Sequence, residues 1–124
     1  LAAAALLHDV GKVAALNAGA YLGLWLRGPL VLIEAWQPDW LEQWASPVPA
    51  PTLRYALYVH IHHPQIGARW AAERGCTAAT CWLIEHHQPG GLQPAGPQTP
   101  PSASLADKQW QDDLARLQWA DGRN

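Results

Sequence analysis

The chain has 124 residues, enough for one hydrophobic core and short of two full domains. Hydrophobic residues make up 49% and charged residues 15%, a globular balance that excludes a disordered chain. A net charge of -2 with neutral histidines gives no reason to expect a nucleic-acid polymer as partner.

Residues 1–10 are rich in Ala and Leu and predict a helix, with Gly11 at the C′ position that ends one. Leu1, Ala4, Ala5, His8 and Asp9 then share neighbouring turns. The string Leu6-Leu7-His8-Asp9-Val10-Gly11-Lys12 delivers an imidazole and a carboxylate together at an apolar helix end. An Asp in a last helical turn faces the negative end of the macrodipole, which costs up to about 1 kcal/mol. A cation collected there removes the penalty, and imidazole and carboxylate are natural metal ligands. Taken alone, the string also reads as a surface turn.

Residues 13–25 continue apolar, interrupted by Gly19 and Gly23, and Gly28-Pro29 predicts a break. A short helix is expected over 30–36, a turn at Gln37-Pro38-Asp39, helix over 39–44, and an extended linker over 46–51. No window reaches the ~20 apolar residues of a membrane span. Trp25, Trp36, Trp40 and Trp44 would suit a peripheral membrane contact, although packing against the core is the preferred reading.

Residues 52–62 read as helical or extended, with Tyr55, Tyr58 and Val59 on an apolar face. His63-Pro64 predicts a boundary, because the residue before Pro avoids helical angles and Pro suits a first helical turn. A new helix is then expected over 64–74, ended by Gly75. Thr77 is the expected N-cap of a helix over 78–87, on which His86 follows Trp82 and His87 follows Leu83 at four-residue spacing. Residues 89–103 are Pro/Gly-rich and read as a loop. Ser104 opens the last helix, with Asp107 in a capping-box arrangement. Trp110, Leu114 and Leu117 form its apolar row, which continues to Asp121. A carboxylate on a buried row needs a partner or a metal; otherwise Asp121 lies idle in a fraying last turn.

Five of the six histidines stand in pairs or beside an Asp. His8-Asp9, His63, His86-His87 and Asp121 are thus four places where metal-type donors meet the interior of a helical chain. Cys76 and Cys81 lack zinc-knuckle spacing and read as reduced and structural. With no signal-peptide pattern, a cytoplasmic protein is expected. The chain opens without Met in the middle of a helical pattern, and is expected to be a fragment whose first helix lies upstream.

The segments HDVGK, HHPQIG, IEHHQ and LQWAD resemble the HD-domain metal-dependent phosphohydrolases, in the order of the HDIG and HD-GYP-like branch. The resemblance implies an all-α, compact helical bundle, one domain over 1–124 with a Trp-rich helical insertion over 14–52. It implies divalent-metal ligands at His8, Asp9, His63, His86, His87 and Asp121, with Asp9 bridging two ions. His63 would bind the second ion, as would His86 and His87 or one of them, and Asp121 would close the first site. Asp9 and Lys12 would act in catalysis, Lys12 by neutralising charge on the substrate phosphate. One or two ions of Mn, Fe, Zn, Co or Mg suit such donors.

The departures carry information. The family supplies one more His from an upstream helix, and none precedes His8 here. No Gly-Tyr-Pro follows the double His, and Gln88 stands where an acid is common, which argues against a cyclic di-GMP substrate. The expected activity is hydrolysis of a phosphate ester, a nucleotide or cyclic nucleotide, by metal-activated water. The alternatives are a catalytically impaired nucleotide-binding or signalling module, and a membrane-surface domain docked through the Trp-rich insertion. The sequence leaves the oligomeric state open.

Overall fold

An alanine run has the highest helix propensity available, and in the computed structural model it folds as expected, though briefly. The structure describes residues 1–88 and 109–122. Helix α1 spans Ala2–Leu7 and is followed by a 3-10 turn, Val10–Lys12. Then come α2 (Val13–Asn17), α3 (Leu24–Trp36), α4 (Pro38–Trp44), α5 (Leu53–Glu73), α6 (Ala78–Glu85) and α7 (Gln109–Asp121). Among the described residues there is no strand, and the fold is all-α. The expected 89–103 loop and the Ser104 capping box lie outside the described residues.

The chain expected as one domain separates into two compact units. The first joins Leu1–Gly11 with His63–Asn124, and the second is Lys12–His62. The insertion expected over 14–52 falls wholly within the second. In the first unit Ala4, Ala68, Ala71, Trp82, Leu83, Ile84 and Leu117 form one core cluster. Leu7, Trp110 and Leu114 pack against it from the flanks. Ala4 lets α1 lie close on α6, while Trp82 and Leu117 fill the volume between α6 and α7. In the second unit Leu41, Leu57 and Ile61 are buried, with Leu30 and Ile33 of α3 packed on them.

Two proline boundaries expected from sequence are absent. Helix α3 runs through Gly28-Pro29, and α5 runs unbroken through His63-Pro64. A proline inside a helix removes one hydrogen bond and costs ~3 kcal/mol. On α3 Pro29 is exposed, so water can serve the carbonyl it leaves without a donor. Along α5 the buried residues Leu57, Val59 and Ile61 precede the proline, and Ile66, Ala68 and Ala71 follow it. Their burial contributes more than the lost bond, and packing overrides the local preference.

Gly75 ends α5 as expected, with φ +81°. Its N–H donates to Ala72 O at 3.0 Å and the Cys76 N–H to Ala71 O at 3.0 Å, a Schellman cap. Gly11 differs from its expected role. The expected helix over 1–10 stops at Leu7, and Gly11 lies in the 3-10 turn without a positive φ. A glycine is required there for space: a Cβ on Gly11 would overlap the His63 carbonyl and come within 2.9 Å of Gly67 N. Gly67 is confined in return, since its own Cβ would meet Gly11 N at 3.2 Å and Ile84 Cγ2 at 3.3 Å. Two main chains therefore touch where the His-Asp turn crosses α5.

Candidate metal centre

Four elements of the first unit deliver donors to one place. His8 caps α1 at αR angles, and its Nδ1–H donates to Ala5 O at 2.8 Å. A carbonyl only accepts, so this bond places a proton on Nδ1 and orients the ring with Nε2 toward the carboxylates. Nε2 lies 3.3 Å from Asp121 Oδ1 and 3.7 Å from Asp9 Oδ2. Two carboxylates this close to one ring nitrogen favour positive charge at the point where they meet, which a bound cation would supply. Asp121 reaches this point because α7 buries Leu117 and carries the same row one turn further.

The second set lies deeper. His63, on α5, is fully buried, and its Nε2 lies 3.5 Å from Asp9 Oδ1. His87, just beyond α6, is also 0% exposed, and its Nδ1–H donates to Ile84 O at 2.7 Å. Its Nε2 is buried with no hydrogen-bond partner, which is costly for a polar atom unless something is bound there. Burial pushes the His87 pKa below the usual histidine value, against the opposing pull of the Ile84 carbonyl and Asp121. The ring is held neutral, with its lone pair available. Ring centroids of His87 lie 5.1 Å from His8 and 5.4 Å from His63, so the three imidazoles surround one space.

Two donor groups result: Asp9, His63 and His87, and His8, Asp9 and Asp121. Within each, the ligand atoms lie within 4.8 Å of one another, and each group could hold a metal ion. Asp9 belongs to both, offering one carboxylate oxygen toward His63 and the other toward His8. His8 and His87 each donate Nδ1–H to a main-chain carbonyl, a bond that holds the ring and points Nε2 toward the donor groups.

One residue expected as a ligand, His86, is not in either donor group. His86 is the C-cap of α6; its Nδ1–H donates to Trp82 O at 2.8 Å and its ring stacks on the Trp82 indole at 4.2 Å. The expected helix over 78–87 ends at Glu85 instead; His87 enters a donor group, while His86, whose Nε2 is likewise buried without a hydrogen-bond partner, lies against Trp82. Lys12 is exposed and opens the second unit.

Two glutamines also matter. Gln88 Nε2 lies 3.4 Å from His63 Nε2, within reach of the atom that would ligate a metal. Gln118 donates from Nε2 to the His86 carbonyl at 3.1 Å, tying the end of α6 to the helix that carries Asp121. Gln118 was not singled out by its sequence pattern; its place three residues before Asp121, on the same helix face, is the signal that could have found it.

Lys12–His62 holds its own histidine pairs. His60 Nε2 lies 3.5 Å from Glu34 and His62 Nε2 3.4 Å from Glu42, each a contact between α5 and a neighbouring helix. No described helix is long and apolar enough to cross a membrane. Comparison of the chain with protein-family models, curated proteins and solved structures returns no match.

Proposed function

We propose that the first unit is a divalent-metal centre of the HD-domain phosphohydrolase type, acting on a phosphate ester, with a nucleotide or cyclic nucleotide as the preferred substrate class. The observation that carries this reading is the pair of three-donor groups sharing Asp9. The donor set is nitrogen and oxygen without thiolate, which suits Mn, Fe, Zn, Co or Mg. The partnerless Nε2 of buried His87 fits a bound cation better than an empty core.

In this reading Asp9, His63 and His87 would hold one ion, and His8, Asp9 and Asp121 would hold a second. Three protein donors per ion leave coordination positions open, the pattern of catalytic rather than structural sites. Bound divalent ions would lower the pKa of a water and offset charge growing on phosphoryl oxygens. The protein's own part is positional. The Ala5 and Ile84 carbonyls hold the His8 and His87 rings, and the core beneath excludes water from one side.

The test is metal content with turnover on the purified chain. Loaded with Mn, it should bind two ions and hydrolyse bis(p-nitrophenyl) phosphate and cyclic nucleotides. Asp9→Asn should lower the rate by about 100-fold or more. Turnover that survives both His8→Ala and Asp9→Asn would sink the enzyme assignment.

A second reading, an impaired nucleotide-binding module, draws on Gln88. An amide N–H donated to His63 Nε2 would occupy the lone pair that a metal needs. Tighter metal binding in Gln88→Ala without hydrolysis would favour this module.

A further inference from the structure

We propose that α3 and α4 form a lipid-docking face, with α3 lying in the headgroup plane of a membrane. The face is separate from the donor groups and belongs wholly to the second unit. Along α3, Trp25, Pro29, Leu32 and Trp36 recur at spacings of four, three and four, so they share one side of the helix. All four are exposed, Trp25 at 93% and Trp36 at 89%. The core is met by the flank of the helix beside the stripe, where Leu30 and Ile33 pack on the Leu41–Leu57–Ile61 core. The stripe is therefore surplus to folding.

Its chemistry selects the occupant. The stripe holds no charge, and its only hydrogen-bonding side-chain groups are the two indole N–H groups near its ends. Arg27 and Glu34 fall about half a turn away. Indoles at both ends of an apolar stripe match the boundary between headgroups and acyl chains, where one edge of the ring is wet and the other dry. A protein partner would expect about one hydrogen bond per 100–200 Å², and the stripe offers almost none. The area argues the same way. A 13-residue helix is about 20 Å long and its stripe about 10 Å wide, a few hundred Å², short of the ~800 Å² per partner of a stable dimer. Beside it lies an apolar cleft of about 490 Å³ lined by Leu32, Ile33, Trp36, Gln37 and Trp40, room for part of an acyl chain. Trp40 stacks parallel on Trp44 at 6.4 Å and extends the aromatic surface along α4.

Because no basic cluster flanks the stripe, attraction to anionic lipid is not the driving force. Glu34 and Glu42 are engaged with His60 and His62. Asp39 in the first turn of α4 adds a negative charge. The docking is thus apolar and insensitive to salt.

The experiment is co-sedimentation of the 124-residue chain with phosphatidylcholine vesicles at low and high salt, with sedimentation equilibrium of the same chain without lipid. Binding to neutral vesicles at both salt concentrations is expected. The Trp25→Ser/Trp36→Ser double variant should bind at least about tenfold more weakly, while Trp119→Ser on α7 binds as the parent does. Circular dichroism identical to the parent shows that the double variant is folded, and Trp25→Phe/Trp36→Phe should retain intermediate binding. Absence of vesicle binding overturns the proposal. So does binding confined to anionic vesicles and lost in salt. A dimer broken by the double variant, with no lipid binding, assigns the face to a second copy of the chain instead.

Discussion

Asp9 gives one oxygen to each donor group, so its substitution differs in kind from that of its neighbours. Asp9→Asn should reduce bound Mn at both positions, whereas Asp121→Asn should reduce it at one. Isothermal titration and elemental analysis separate the two outcomes. A few residues away, Gly11 acts through its missing side chain. Gly11→Ala places a methyl against the His63 carbonyl and Gly67 N, main-chain atoms that cannot swing aside. Overpacking of this kind costs roughly 1–3 kcal/mol or more, and thermal unfolding should show the loss even in metal-free protein. Gly11 was read from the sequence as a helix terminator, a local role, because a contact with a segment more than fifty residues away leaves no local pattern. Asp121 was legible for the opposite reason. Its apolar row is periodic, Leu117 of that row is buried, and the row's continuation brings the carboxylate to His8.

The caps and turns of the helices decide which histidines turn inward. Thr77 caps α6 as its sequence position suggests, accepting from Thr80 N–H at 3.2 Å. Thr77→Ala should cost about 1 kcal/mol of stability, measured by denaturant unfolding. At the far end of α6 the sequence could not separate His86 from His87, since both continue rows of core residues. The helix stops two residues early, and of the two only His87 enters a donor group. Prolines misled for a related reason: Pro29 and Pro64 carry a real local cost, but neighbouring burial outweighs it. Helix α5 also supplies a pH-sensitive contact. Burial holds the His62 pKa below its usual value, more strongly than Glu42 raises it. A lowered folded pKa means that folding favours the neutral ring. Its stabilisation is fully present above the unfolded value of about 6.5 and is lost as pH falls through the lower folded value. Unfolding temperature should therefore drop between about pH 7 and about pH 5, and His62→Gln should flatten part of that slope.

At the scale of the molecule, the proposed centre draws on both chain segments of its unit, residues 8–9 near the start and 63, 87 and 121 beyond Lys12–His62. A cation held by the folded chain and not by the unfolded one stabilises by mass action, about 2.7 kcal/mol at a hundredfold excess over Kd. Mn should accordingly raise the melting temperature, and a chelator should reverse the rise. Asp9→Asn should show little of either effect. The all-α architecture was legible because nearly every periodic segment had a 3.6-residue repeat. The division into two units was not, since α5 crosses the boundary as one helix. The backbone contact between Gly11 and Gly67 has one more consequence. Asp9 stands two residues from it and His63 four, so main-chain atoms rather than pliable side chains set the gauge between these ligands. If these residues hold a cation as proposed, a cage of fixed bore would sort ions by radius. Manganese or magnesium, with shorter bonds to oxygen, should fit, and calcium, which prefers 2.3–2.6 Å and six to eight oxygens, should compete poorly for the same seat.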